Sequence, residues 1–157
     1  MNHKPHALSI YHGLFAVLSI CFIFCFWTIT VLSTLFATEI TIVLIKQGIL
    51  YCFILFIPCI VLTGITGFLL TKNRQGKIIQ TKKKRMPIIA INGLFILVPC
   101  AFYLASKAQQ AQFDVLYYLI QSLELMIGAI NLYLMGRSVR DGLKLSGKIK
   151  PAQIKRF

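Results

Sequence analysis

Four runs of apolar residues, about Gly13–Ala37, Gly48–Leu70, Met86–Ala105 and Val115–Met135, decide what this chain can become. Each reaches the roughly 20 residues needed to cross a hydrocarbon layer ~30 Å thick at ~1.5 Å per residue. A water-soluble helical bundle would instead show an apolar stripe beside a polar face. The chain has 157 residues, 57% of them hydrophobic and 13% charged, with the charges gathered between the runs. The expected architecture is an all-α, polytopic membrane protein: one domain, 1–157, with four transmembrane helices in an up-down bundle.

The net charge of +13 is distributed to one side of that threading. Seven basic residues lie in Lys72–Arg85: Lys72, Arg74, Lys77, Lys82, Lys83, Lys84 and Arg85. Seven more follow the last run (Arg137, Arg140, Lys144, Lys148, Lys150, Lys155, Arg156), and Lys4 precedes the first. The other two connections hold only Lys46 and Lys107, balanced by Glu39 and Asp114. Positive charge stays on the cytoplasmic side of an inner membrane, so both termini and the 71–85 loop are expected there. The same rule accounts for the charge without nucleic acid. Anionic lipid headgroups are the expected partners of segments 72–85 and 137–156.

A lysine-bearing tail before an apolar run resembles a secretory signal, but the first run exceeds the 7–15 residues of a signal core and reads as a retained helix. The connection Thr38–Gln47 is short and apolar. It reads either as an extension of the second helix or as a segment lying along the interface. Pro87 falls where the third helix is expected to begin, a position that tolerates proline. Arg137–Gly147 reads as a frayed, basic amphipathic exit. The six tyrosines (Tyr11, Tyr51, Tyr103, Tyr117, Tyr118, Tyr133) lie near run ends, as an interfacial belt would place them.

The last run carries the chemistry. Tyr117, Gln121, Glu124, Gly128 and Asn131 recur at spacings of four, three, four and three, which sets them on one helical face. A carboxyl and two amides on a membrane helix must face other helices, since lipid offers no partner. Glu124 is the one acid in the middle of a run, near the bilayer centre. With no cation expected at that depth, it reads as a neutral carboxyl bonded to Gln121 or to a carbonyl freed by Pro58 or Pro99. A second polar layer nearer the basic side would hold His12, Thr63, Thr66, Asn92 and Asn131. Either the seam is a hydrogen-bonded clamp, or it is a site for a proton, a cation or the polar head of an apolar ligand such as a quinone. The Thr63–Gly67 stretch also suits close helix packing.

Other chemistries find less support. His12 stands without a second helical histidine for haem. The five cysteines form no C-x-x-C pair and read as free, buried, small apolar residues. Soft ligands select copper(I), so Cys25, Cys59 and Cys100, with Met126, are an alternative metal set. No Ser/His/Asp set or metalloprotease motif lies at the membrane, so catalysis is not expected.

His12-Gly13, Thr63-Gly64, Asn92-Gly93, and Gln121…Glu124…Asn131 followed by Arg140-Asp141-Gly142 are each placed at a helix entry, exit or centre. In this layout the chain resembles small bacterial inner-membrane proteins and is similar to the copper-resistance protein D superfamily. The resemblance implies a multi-pass bacterial membrane protein. The expected function is an accessory subunit or small-ligand-binding bundle, alone or as a homo-oligomer. The alternatives are a proton- or cation-coupled transporter using Glu124 and a quinone- or lipid-linked redox protein.

Overall fold

A computed structural model describes residues 7–72 and 75–147. Among them every regular element is helical: α1 (Ala7–Phe36), α2 (Glu39–Thr71), α3 (Lys77–Ile91), a π-helical turn (Asn92–Leu97), α4 (Val98–Gln109) and α5 (Val115–Leu145). The segment Lys77–Gln109 runs as one long rod, so four rods are long and apolar enough to cross a membrane. The basic positions Lys4, Arg74, Lys148, Lys150, Lys155 and Arg156, and the tail beyond residue 147, lie outside the described residues.

The rods extend beyond the apolar runs. Only Ala37 and Thr38 separate α1 from α2, so the apolar connection is helix, and Lys46 sits seven residues inside α2. At the other end α3 starts at Lys77, which places Pro87 inside the helix rather than in its first turn. Arg137–Leu145 continues α5 without fraying. One end of the bundle therefore carries the α2–α3 connection and the last turns of α5; it is called here the basic end. The far end carries the α1–α2 and α4–α5 connections.

Neighbour relations give a square in which α1 touches α2 and α5, while the third rod touches α2 and α5 from the other side. Across the diagonal, no Cα of α2 comes within 8 Å of one in α5. The outside is apolar all round, with Phe24, Leu35, Ile54, Phe95 and Leu119 among the exposed side chains. The interior is mixed: Ile23, Phe53, Phe56 and Leu104 are buried together with Ser19, Thr30, Gln121 and Asn131. That inversion suits a bundle in lipid, where small and polar residues hold helices together and apolar ones face the chains. A cluster of Phe22, Phe26, Phe53 and Phe56, with centroids 5.6–6.0 Å apart, fills the middle of the α1–α2 interface.

The third rod is distorted where its sequence requires it. Pro99 brings no N–H, so the helix must lose a bond just before it. The chain widens over Asn92–Leu97, and the Val98 N–H bonds Gly93 O, five residues back instead of four. Such π-turns are frequent at functional sites. Here the turn sets Gly93 against α5.

Candidate functional site

The polar face of α5 is real, but it meets its partners at separate levels. Nearest the far end, Glu124 Oε2 accepts from Lys46 Nζ at 2.7 Å and from Gln121 Nε2 at 3.1 Å. The expectation of a carboxyl without a cation is thereby overturned. The reason is the length of α2: because helix begins at Glu39, Lys46 is carried into the bundle. Both α2 and α5 start at the far end, so the Cα–Cβ bonds of Lys46 and Glu124 tilt the same way. The lysine then reaches across the diagonal that the backbones leave open. Its side chain is 2% exposed and that of Glu124 is 15% exposed. Neither Pro58 nor Pro99 offers Glu124 a carbonyl; both prolines face outward.

About one turn along α5, Trp27 of α1 packs against Gly128. A Cβ at Gly128 would stand 3.0 Å from Trp27 Cδ1, so any larger residue requires the indole to shift. The indole N–H donates to Leu125 O at 2.9 Å, which satisfies its polar edge inside the bundle. Further on, Asn131 is fully buried and donates through Nδ2 to Ile89 O at 3.3 Å, beside Gly93. Asn92 is half-buried at the start of the π-turn and contributes its backbone N–H, bonded to Ile88 O and Ile89 O.

The remaining expected residues meet on the α1–α2 side. His12 Nδ1 lies 3.0 Å from Thr66 Oγ1, and Ser19 Oγ lies 3.3 Å from Thr63 Oγ1. Both threonines also donate to carbonyls of their own helix, Thr63 to Cys59 O and Thr66 to Leu62 O. Gly67 permits this approach, since a Cβ there would run into the Met86 methyl and stand 2.9 Å from His12 Cε1. His12 and Thr63 thus form an inter-helix contact apart from Glu124, not a second half of one site.

A half-open cleft does lie beside Glu124. It encloses about 60 Å³ and is walled by Phe26, Trp27, Phe53 and Phe56, with Glu124 and Thr30 supplying its polar atoms and Gly93 and Gly128 its recesses. Hydrogen bonding at this level is unbalanced. Both donors to Glu124 fall on Oε2, and among the described residues Oε1 receives none. Gln121 Oε1 here, and Asn131 Oδ1 about two turns beyond Glu124 on α5, are buried without a partner among the described residues. Lys46 Nζ, for its part, gives Glu124 one of its three N–H groups and meets no other acceptor among the described residues.

The cysteines do not behave as expected. Cys21, Cys25 and Cys52 are exposed on the outer surface, while Cys59 and Cys100 are partly covered. Among the described residues no three His, Cys, Asp or Glu side chains converge on a common point, and that includes Cys25, Cys59 and Cys100. Sequence reasoning missed Lys46, Trp27 and Ser19. A single lysine in an otherwise apolar stretch, and the single tryptophan in mid-run, were the available signals.

Comparison with protein-family models, curated proteins and solved structures returned no match.

Proposed function

We propose that the chain is a non-enzymatic, multi-pass protein of the bacterial inner membrane, with both termini cytoplasmic, that holds a small donor-bearing ligand in the cleft beside Glu124. The observation that carries this reading is the carboxylate on an aromatic wall with Oε1 unclaimed among the described residues. A hydroxyl, an amine or a quinol head supplies the missing donor. About 60 Å³ is less than half of the ~150 Å³ that encloses a benzene ring. The cleft therefore takes a head group, and an apolar body would lie outside it along the lipid-facing surface. An accessory subunit of a larger membrane complex is the form that suits a bundle of four helices.

The test is native mass spectrometry of the protein extracted in a mild detergent, beside Ala101→Leu. Ala101 is buried on the cleft wall, so the larger side chain fills the space. A reproducible extra mass on the native protein, absent from the filled variant, supports the reading. Equal masses on both, or a bare 17.8 kDa chain from each, count against it.

A second reading, a small proton- or cation-coupled carrier, is favoured by one feature: the only acid in mid-span is also the lining residue of the cleft. Reconstituted Glu124→Gln that kept full pH-dependent flux would remove it.

A further inference from the structure

We propose that the groove between α3 and α5 at the basic end is a binding site for a phosphate group, independent of the cleft beside Glu124. It holds about 220 Å³ and is lined by Lys77, Thr81, Arg85, Arg137 and Asp141, with Ile78 the one apolar side chain.

The charge in this groove cannot be cancelled by the protein's own acidic side chains. The chain has four, Glu39, Asp114, Glu124 and Asp141, and three of them stand elsewhere. Glu39 opens α2 at the far end, Asp114 pairs with Lys107 there, and Glu124 is held by Lys46. Asp141 is committed to Arg85, whose Nη1 lies 2.9 Å from Oδ2 and 3.4 Å from Ser138 Oγ. Arg85 is itself buried, so the pair fixes α3 to α5 and forms one wall. Lys77 and Arg137 are left as surplus positive charge on the groove, and Thr81 adds a hydroxyl.

Position narrows the ligand. Arg85 and Arg137 sit at the polar boundaries of two apolar runs, where headgroups lie. Arg137 is held there over Tyr133, its guanidinium carbon 5.8 Å from the ring centroid and Nη1 3.1 Å from the hydroxyl oxygen. Tyr133 is exposed one turn nearer the membrane, a surface for an acyl chain. A guanidinium and an ammonium on opposing helices match a phosphate dianion or diester. Basic pockets between helices on the cytoplasmic side bind anionic headgroups by the same chemistry. The phosphate could come from an anionic phospholipid or from solution.

The experiment compares retained adducts by native mass spectrometry of the full chain, offered dioctanoyl phosphatidic acid or the zwitterionic dioctanoyl phosphatidylcholine. The double variant Lys77→Gln/Arg137→Gln removes two groove charges. Lys83→Gln/Lys84→Gln removes two exposed charges from the same end, outside the groove. The expected result is selective retention of phosphatidic acid, weakened about fivefold per charge in the groove variant and by far less in the control. Displacement by millimolar inorganic phosphate would assign recognition to phosphate itself. Retention in its presence would assign it to the whole lipid. Equal retention of both lipids, equal losses in both variants, or no adduct at all would overturn the site. Circular dichroism of each variant separates lost binding from lost fold.

Discussion

Lys46 and Glu124, 78 positions apart, meet at 2.7 Å across the diagonal of a square bundle whose α2 and α5 backbones do not touch. The pair is a cross-brace: it ties together the two helices that the other packing holds apart, and it shapes the cleft wall from which Glu124 faces the aromatic residues. Charges removed from water are costly, and their attraction repays that cost only when geometry is close and remaining lone pairs are bonded. Gln121 supplies one such bond; among the described residues Oε1 of Glu124 accepts none.

Breaking the brace from one side should therefore hurt more than removing it. Lys46→Met leaves a carboxylate without its cation and is expected to cost about 3–5 kcal/mol, the typical penalty for half of a buried pair. Lys46→Met with Glu124→Met is expected to recover most of that loss. Thermal unfolding in one detergent, followed by circular dichroism, reads both. A double variant no more stable than Lys46→Met would show that the pair does not act as a unit.

Trp27 and Gly128 give a second, smaller test. A Cβ on residue 128 would stand only 3.0 Å from Trp27 Cδ1, so Gly128→Ala forces the indole to move by a few tenths of an ångström. A cost of about 1 kcal/mol is expected, at the low end for overpacking. Because the chain has one tryptophan, its emission reports the shift directly. An unchanged spectrum in Gly128→Ala would mean that the indole is not held against α5.

Much of this was legible in sequence, and the rest was lost for separate physical reasons. Four helices follow from run length, and the inward face of α5 follows from the spacing of Gln121, Glu124, Gly128 and Asn131; all but Glu124 are buried. What one-dimensional reading lacked was the true start of α2. Hydropathy marks where a helix enters lipid, not where its hydrogen bonds begin, so Thr38–Gln47 stayed open between an extension of the second helix, which the structure bears out, and an interfacial segment. With that boundary open, Glu124 was read without its partner Lys46. The cysteines failed for a different reason: in lipid the outside is as apolar as the inside, so an apolar side chain carries no information about burial. Nor does spacing within one helix reveal which neighbour answers it. His12 bonds Thr66 and Thr63 bonds Ser19 between α1 and α2, whereas Asn131 of α5 bonds Ile89 of α3.

Gly67 of α2 lies where both α1 and α3 approach closely. A methyl group there would meet the Met86 methyl and the His12 ring, the second at 2.9 Å. The methionine end can turn aside, whereas the ring is held by Thr66. Gly67→Ala is expected to destabilise the bundle by about 1–3 kcal/mol. Gly64, with nothing near its position, is expected to tolerate alanine within about 0.5 kcal/mol. Parallel melts of the two variants check the contrast, and equal melting points would refute it.

At the far end a solvent-exposed group makes the bundle's entry into α5 sensitive to acid. Asp114 is the N-cap: its Oδ1 accepts the Tyr117 N–H at 2.8 Å, while Oδ2 accepts from Lys107 Nζ at 3.1 Å. The Tyr117 N–H first, and the lysine second, hold the carboxyl below its ordinary value of 3.8. A carboxyl whose folded value is depressed contributes stability that is complete above the unfolded value and is lost as pH falls through the folded one. Protection of the Tyr117 amide against hydrogen exchange, after correction for intrinsic rates, should hold steady above about pH 4 and fall below it. Asp114→Asn keeps an oxygen for the cap but cannot titrate, so it should show no such step. Asp114→Ala should lose protection at every pH. A step of equal size in Asp114→Asn would place the titrating group elsewhere.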